Sequence, residues 1–175
     1  MINRARNDPE AFGQLYERYV DRIYNYIYYR TGNAHEAEDL TARVFFKALN
    51  NINSYRHMGL PFSAWLYRIA HNLVANYHRD GARNREISLD ENPLLDLSSR
   101  REQPETAMQR KQEIETLMVL ISDLPKVRQE IIILKYVDKL SNAEIGIILR
   151  KSEGAVKSLF HRTLLELRER IKLDE

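Results

Sequence analysis

The sequence predicts an all-α fold built as two small helical domains joined by a flexible linker. Three observations carry this reading. Apolar residues recur at spacings of three and four over long stretches, the mark of helices with one buried face. Glycine (6) and proline (5) are scarce among the 175 residues, and no Asn-Gly or Asp-Gly pair separates two alternating apolar runs, so no hairpin is signalled. The periodicity lapses from 81 to 107, leaving domains at 1–80 and 108–175.

The first helix starts at Asp8-Pro9-Glu10: a capping aspartate, a proline whose missing N–H costs nothing in the first turn, and an acid near the positive helix end. Phe12, Leu15, Tyr16, Tyr19, Ile23, Tyr26 and Ile27 form its stripe, which ends near Gly32. A second helix begins around Asn33 and carries Ala37, Leu40, Val44, Phe45 and Leu49. Tyr55 to Pro61 reads as a loop by its glycine and proline. The third helix has the cleanest stripe: Phe62, Trp65, Leu66, Ile69, Ala70, Leu73, Val74 and Tyr77. Its opposite face, Arg68, His71, Asn72, Ala75 and Arg79, is basic and amide-bearing rather than the Glu/Lys mixture of an ordinary solvated face.

The linker, 81–107, contains an apolar island at Leu94, Leu95 and Leu97, which reads equally as a transient contact with a domain or as a segment docking on a partner. Beyond it, Ile114, Leu117, Met118 and Ile121 mark a helix that stops near Leu124-Pro125. Val127, Ile131, Leu134 and Tyr136 mark the next. Ser141-Asn142-Ala143-Glu144 is a capping box opening a short helix with Ile145, Ile148 and Leu149. Arg150 and Lys151 fall at the turn, and Ser152 caps a last helix striped by Val156, Phe160, Leu164, Leu167 and Ile171.

Composition excludes several classes. With no cysteine there is neither a disulfide framework nor a thiolate metal site. The polar start, Met1 to Glu10, has no signal-peptide core, and no stretch reaches the ~18 apolar residues that span a bilayer. The expectation is a soluble, cytoplasmic protein without membrane insertion. His35, His57, His71, His78 and His161 have no metal-site spacing, and no glycine-rich phosphate loop or Ser/His/Asp set is present. The chain is therefore expected to be no enzyme, with no cofactor, metal or catalytic residue.

The net charge of +2 hides a local concentration of basic residues. Arg150, Lys151, Lys157 and Arg162 stand against Glu153 alone, across one turn and one helix start. A short helix, a tight turn and a second helix with a basic leading face form the helix-turn-helix pattern, whose second helix enters the major groove by its N-terminal residues. Ile145 and Val156 can pack the two helices together. Gly154 and Ala155 leave room for close approach, and Ser152, Lys157, Ser158, His161 and Arg162 offer donors to bases or phosphates. In the first domain, aromatic and basic residues interleave from Tyr55 to Arg79, as single-stranded DNA requires for stacking and charge neutralisation. Phe62, Trp65 and Tyr77 lie on the buried stripe and serve the core. Tyr55, in the loop, is less well explained by a core. Asn72 can bond a base edge or simply face solvent.

Two blocks resemble domain 2 of extracytoplasmic-function sigma factors of bacterial RNA polymerase: Glu38-Asp39-Leu40-Thr41-Ala42-Arg43-Val44-Phe45-Phe46-Lys47-Ala48 and Phe62-Ser63-Ala64-Trp65-Leu66-Tyr67-Arg68-Ile69-Ala70-His71-Asn72. Leu124-Pro125 through Glu130, Ser141 through Ile145 and Ser152 through Ser158 resemble their domain 4. The resemblance covers about residues 8–80 and 108–172, in the family's order and spacing. It implies a three-to-four-helix bundle followed by a helix-turn-helix domain. It implies further that Asp39, Leu40, Phe45 and Lys47 bind the β′ clamp helices of the polymerase, and that domain 4 meets the β flap. The loop from Tyr55, with Arg56 and Asn72, would capture a flipped base of the −10 element, flanked by Arg68, His71 and Arg79. Arg150, Lys151, Ser152 and the donors of the last helix would read the −35 duplex. The linker would thread the polymerase channel, and an anti-sigma factor is an expected partner.

Three positions depart from the family pattern. Ala42-Arg43 stands where Gln-Glu is usual, Leu159 where arginine is usual, and Arg150-Lys151 where the turn commonly has a small residue. A helix-turn-helix regulator working without polymerase is the alternative; it accounts for the second domain and leaves the blocks of the first without a purpose.

Overall fold

The computed structural model describes residues 2–56, 61–83 and 104–173. Among them every regular element is helical. The chain divides into two compact units, Met1–Pro93 and Leu94–Glu175. The apolar island at Leu94, Leu95 and Leu97 lies outside the described residues.

The first unit opens with a single turn, α1 (Ile2–Ala5), and continues with α2 (Pro9–Thr31), α3 (Ala34–Asn51) with a 3₁₀ turn at Ile52–Ser54, and α4 (Phe62–Arg83). Its caps are those that the sequence signals. The Asp8 carboxylate accepts from Glu10 N and Ala11 N at 3.0 and 3.3 Å. Gly32 closes α2 in the left-handed region (φ 67°), with its N–H on Tyr28 O at 2.8 Å. Asn33 Oδ1 accepts from Glu36 N at 3.1 Å and starts α3.

Helices α2, α3 and α4 pack against one another around Ile23, Tyr26, Ile27, Leu40, Val44, Leu66 and Val74, all at most 2 % exposed. The core is wider than the predicted stripes. Tyr67 is fully buried, edge-on to Tyr26 at 5.3 Å, with the Arg22 guanidinium over its ring. Leu49 is not in it: the side chain is 46 % exposed and Ala48 occupies the buried position. Adjacent helix positions are ~100° apart, so α3 cannot turn both inward at the edge of its buried arc.

The second unit comprises α5 (Pro104–Ile121), α6 (Lys126–Ile132), which runs on as a π turn over Ile133–Val137, α7 (Asn142–Leu149) and α8 (Glu153–Leu173). Ile131, Ile132, Ile133 and Leu134 are all buried. Four consecutive buried positions circle a helix, so α6 is the central strut of this unit. Tyr136, predicted on the same stripe, is instead 45 % exposed beside Phe160, and Ile171 of α8 is 44 % exposed. Both sit towards the ends of their elements, Tyr136 in the π turn that follows α6 and Ile171 in the last turn of α8. The Gln129 side-chain amide donates to Ser122 O and Leu124 O at 2.8 Å each, closing the α5–α6 turn. Glu166 of α8 accepts from Arg128 of α6 at 2.6 Å and from Arg170 at 2.7 Å.

Candidate nucleic-acid interface

The α7–α8 pair begins with the capping box the sequence signals. Ser141 Oγ accepts from Glu144 N at 3.2 Å, and the Glu144 carboxylate accepts from Ser141 N at 2.7 Å. The turn after α7 is unusually close. Lys151 N donates to Gly146 O at 2.8 Å, and a Cβ on Gly146 would lie 2.7 Å from Lys151 O, a distance that real Cβ atoms do not tolerate. Glycine at 146 therefore lets the turn fold back onto α7. Arg150 takes the left-handed conformation (φ 54°) that glycine usually supplies at a helix C-terminus. Ser152 Oγ accepts from Ala155 N at 3.2 Å and starts α8. Ile145 and Val156, both fully buried, lock the helices together.

This geometry leaves Arg150, Lys151, Ser152, Lys157, Ser158, His161 and Arg162 exposed at the turn and the leading half of α8. A Cβ on Gly154 would meet nothing, so the helix start is open to a partner. The Ser152 hydroxyl accepts in its cap and keeps its proton for donation. Leu159, where the family pattern has arginine, is half-buried.

In the first unit the polar face of α4 stands as expected. Arg68, Asn72 and Arg79 are exposed, Asn76 joins them, and His71 is half-buried. Arg79 lies 3.7 Å from Asp80. Arg56 is exposed. Tyr55 corrects the sequence reading, which set it apart from the core: it is 7 % exposed. Its ring meets Phe62 edge-on at 5.4 Å and Trp65 at 5.1 Å. Burial, with the Tyr19 phenol as a lesser cause, raises its hydroxyl pKa above the usual tyrosine value. Tyr55 begins the predicted loop and Phe62 follows its last residue, so this aromatic pair joins the two sides. His57 lies outside the described residues.

On α3, Asp39 and Lys47 are exposed, whereas Leu40 and Phe45 are 2 % and 5 % exposed. Phe45 stands edge-on to Tyr16 at 4.8 Å. These two side chains are thus part of the unit's own core, whereas Asp39 and Lys47 are the expected contact residues that stand at the surface. The face outside is Asp39, Ala42, Arg43 and Phe46, at helical spacing, with Leu49 at its edge. Phe46 is 66 % exposed. Sequence reasoning missed it, although the Phe45-Phe46 pair is a signal: with Val44 and Phe45 both turned inward, Phe46, a further ~100° round the helix, falls outside the buried arc. The Arg43 guanidinium lies 3.7 Å from the Asp39 carboxylate. Among the described residues no three His, Cys, Asp or Glu side chains form a metal-binding group, and no helix is long and apolar enough to cross a membrane.

Comparison with known proteins assigns the two units separately. Residues 15–84 match the Sigma-70 region 2 family, and residues 114–167 match Sigma-70, region 4. The chain is 35 % identical over 173 residues to the ECF RNA polymerase sigma factor SigW of Bacillus subtilis, covering 95 % of this chain and 92 % of that one. It is also 35 % identical over 168 residues to the ECF RNA polymerase sigma factor BldN of Streptomyces coelicolor, covering 95 % of this chain and 63 % of the relative's length. Among solved structures, the sigma factor RpoE of Bartonella quintana, in complex with the anti-sigma factor NepR, shares the fold with a TM-score of 0.73 at 19 % identity, over 95 % of this chain and 99 % of that one.

Proposed function

Because the chain belongs to the extracytoplasmic-function sigma factors, we propose that it directs RNA polymerase to specific promoters and helps open their −10 region. The observation that supports this is the presence of two different polar faces on separate units: an open, basic helix start on α7–α8 and an exposed, amide-bearing face on α4, whose first residue Phe62 packs on Tyr55. A duplex reader alone needs only the first.

The division of labour follows from chemistry. In the 108–175 domain, Lys157, Arg162, Arg150 and Lys151 neutralise phosphates of the −35 duplex, while Ser158 and His161 reach base edges. In the 1–80 domain, Asn72 hydrogen-bonds a base flipped from the −10 element, with Arg56, Arg68, His71 and Arg79 beside the backbone. Flipping a base costs a few kcal/mol, which stacking and hydrogen bonding in a pocket offset. Two small readers on one chain raise each other's effective concentration. No chemical step is required of any side chain, so the chain acts without catalysis, in the cytoplasm where its polymerase works.

Polymerase contacts fall on the exposed face of α3. Phe46 and Leu49 supply apolar area and Asp39 supplies charge for the β′ clamp helices. The β flap would meet the shallow apolar groove of about 320 Å³ lined by Leu117, Ile132, Tyr136, Leu164 and Ile171. An anti-sigma factor, the partner of the Bartonella quintana relative, would compete for these same surfaces.

The direct experiment is run-off transcription from a genomic promoter pool by core polymerase with and without the chain. New, discrete start sites support the proposal. Binding to duplex DNA without new starts favours a regulator that acts apart from polymerase.

A further inference from the structure

The single turn α1 has no role in the reading so far, and its sequence is polar and featureless. In the fold it is anchored. Ala5 is 4 % exposed, Asn7 N donates to Arg4 O at 3.0 Å, and Arg4 Nη2 bonds the Asp8 carboxylate at 3.1 Å. These contacts set the position of Arg6 in the bend between α1 and α2. Arg6 Nη2 donates to the backbone carbonyl of Tyr55 at 2.7 Å, across 49 residues of sequence. Arg6 Nε is buried and has no hydrogen-bond partner among the described residues, so the carbonyl is the compensation provided for the guanidinium there.

Tyr55 is the point where α3 and its 3₁₀ turn give way to the proposed base-capture loop. Its N–H donates to Ile52 O at 3.2 Å, and its ring is held by Phe62 and Trp65 on the far side of that loop. The Arg6 bond adds a further restraint on the same residue, at its backbone carbonyl. Arg56, the next residue, is exposed. A peptide fixed at its carbonyl fixes the direction in which Arg56 leaves the bundle.

We propose that Arg6 is a positioning residue for promoter opening: its hydrogen bond to the Tyr55 carbonyl sets the start of the loop that receives the unpaired −10 base. This rests on the base-capture reading given above. Arg6 touches neither duplex nor polymerase in this role. Its loss lowers the yield of the opened state and leaves the closed state unchanged, because only the opened state presents an unpaired base to be received.

The test uses holoenzyme reconstituted with full-length variants and a promoter carrying a fluorescent base analogue in its −10 element. Arg6→Met keeps the apolar stem and removes the donors; Arg6→Ala removes both; Arg6→Lys keeps one donor; Asn72→Ala reports on base capture itself. Closed-complex affinity, opened fraction and thermal midpoint are measured for each. The expected result is an opening constant reduced about tenfold in Arg6→Met, the scale of one charge-assisted hydrogen bond, with closed-complex affinity intact and most opening retained in Arg6→Lys. Normal opening in both Arg6→Met and Arg6→Ala, with Asn72→Ala impaired, overturns the role of Arg6 and leaves base capture standing. Normal opening in Asn72→Ala overturns base capture, and this proposal with it. Equal losses of closed and opened complexes in the Arg6 variants overturn the proposal in favour of a role in folding alone.

Discussion

The Arg43 guanidinium lies 3.7 Å from the Asp39 carboxylate, one turn along the exposed face of α3. Both side chains are more than half exposed, so the pair adds only ~0.3–0.5 kcal/mol to the fold. Its consequence is for recognition. Where the family pattern has an acid at 43, this chain has a cation that partly neutralises Asp39, and the apolar Phe46 one turn on becomes the dominant feature of the face.

Phe46→Ala is therefore expected to weaken association with core polymerase at least tenfold, as loss of a buried aromatic anchor does at an interface. Stability should change by no more than ~0.5 kcal/mol, because the side chain is exposed in the free protein. Titration of labelled polymerase and a denaturant melt check the two halves. Phe45→Ala should show the opposite pattern, costing ~3–5 kcal/mol of stability.

Gly146→Ala places a methyl 2.7 Å from Lys151 O, a backbone atom that cannot move aside cheaply. A destabilisation of ~1–3 kcal/mol is expected from overpacking, read by denaturant unfolding, with −35 duplex binding lost alongside.

Arg150→Gly should separate stability from binding. Arg150 takes a left-handed conformation at φ 54°, which costs a non-glycine residue ~1 kcal/mol. Glycine recovers that cost and raises the melting midpoint. If Arg150 also neutralises a phosphate, the salt slope of duplex binding falls by about 0.9 in the same variant. Lys157→Ala with Arg162→Ala should lower it by about twice that.

Acid should weaken the start of α2. The backbone N–H of Ala11 and then the Arg4 guanidinium hold the Asp8 carboxyl below its ordinary value of 3.8. A lowered folded-state pKa means that the contribution is present above 3.8 and is lost as the pH falls through the folded value. Asp8→Asn keeps a capping oxygen and removes the titration, so its thermal midpoint should fall less steeply over that acid range.

These variants also show where the sequence was informative. Asp8, Asn33, Ser141 with Glu144, and Ser152 announced their helix starts because capping is local chemistry, settled within three residues. The stripe of α4 was readable for the same reason. Leu49, Tyr136 and Ile171 were misplaced because periodicity gives the direction of a face, while burial depends on how far a neighbouring helix extends over it. Tyr55 was set apart from the core because its partners, Phe62 and Trp65, lie across a loop. Arg6 was invisible: a side chain that bonds a carbonyl 49 residues away leaves no pattern in sequence.

Co-elution with core RNA polymerase on a sizing column tests the central claim most directly, comparing the natural chain with Asp39→Arg and Phe46→Ala. The expected result is a stable complex with the natural chain, lost or much weakened in both variants while each still melts as a folded protein. Absence of any complex with the natural chain, alongside intact binding to duplex DNA, would contradict a polymerase subunit and leave the exposed face of α3 without a partner.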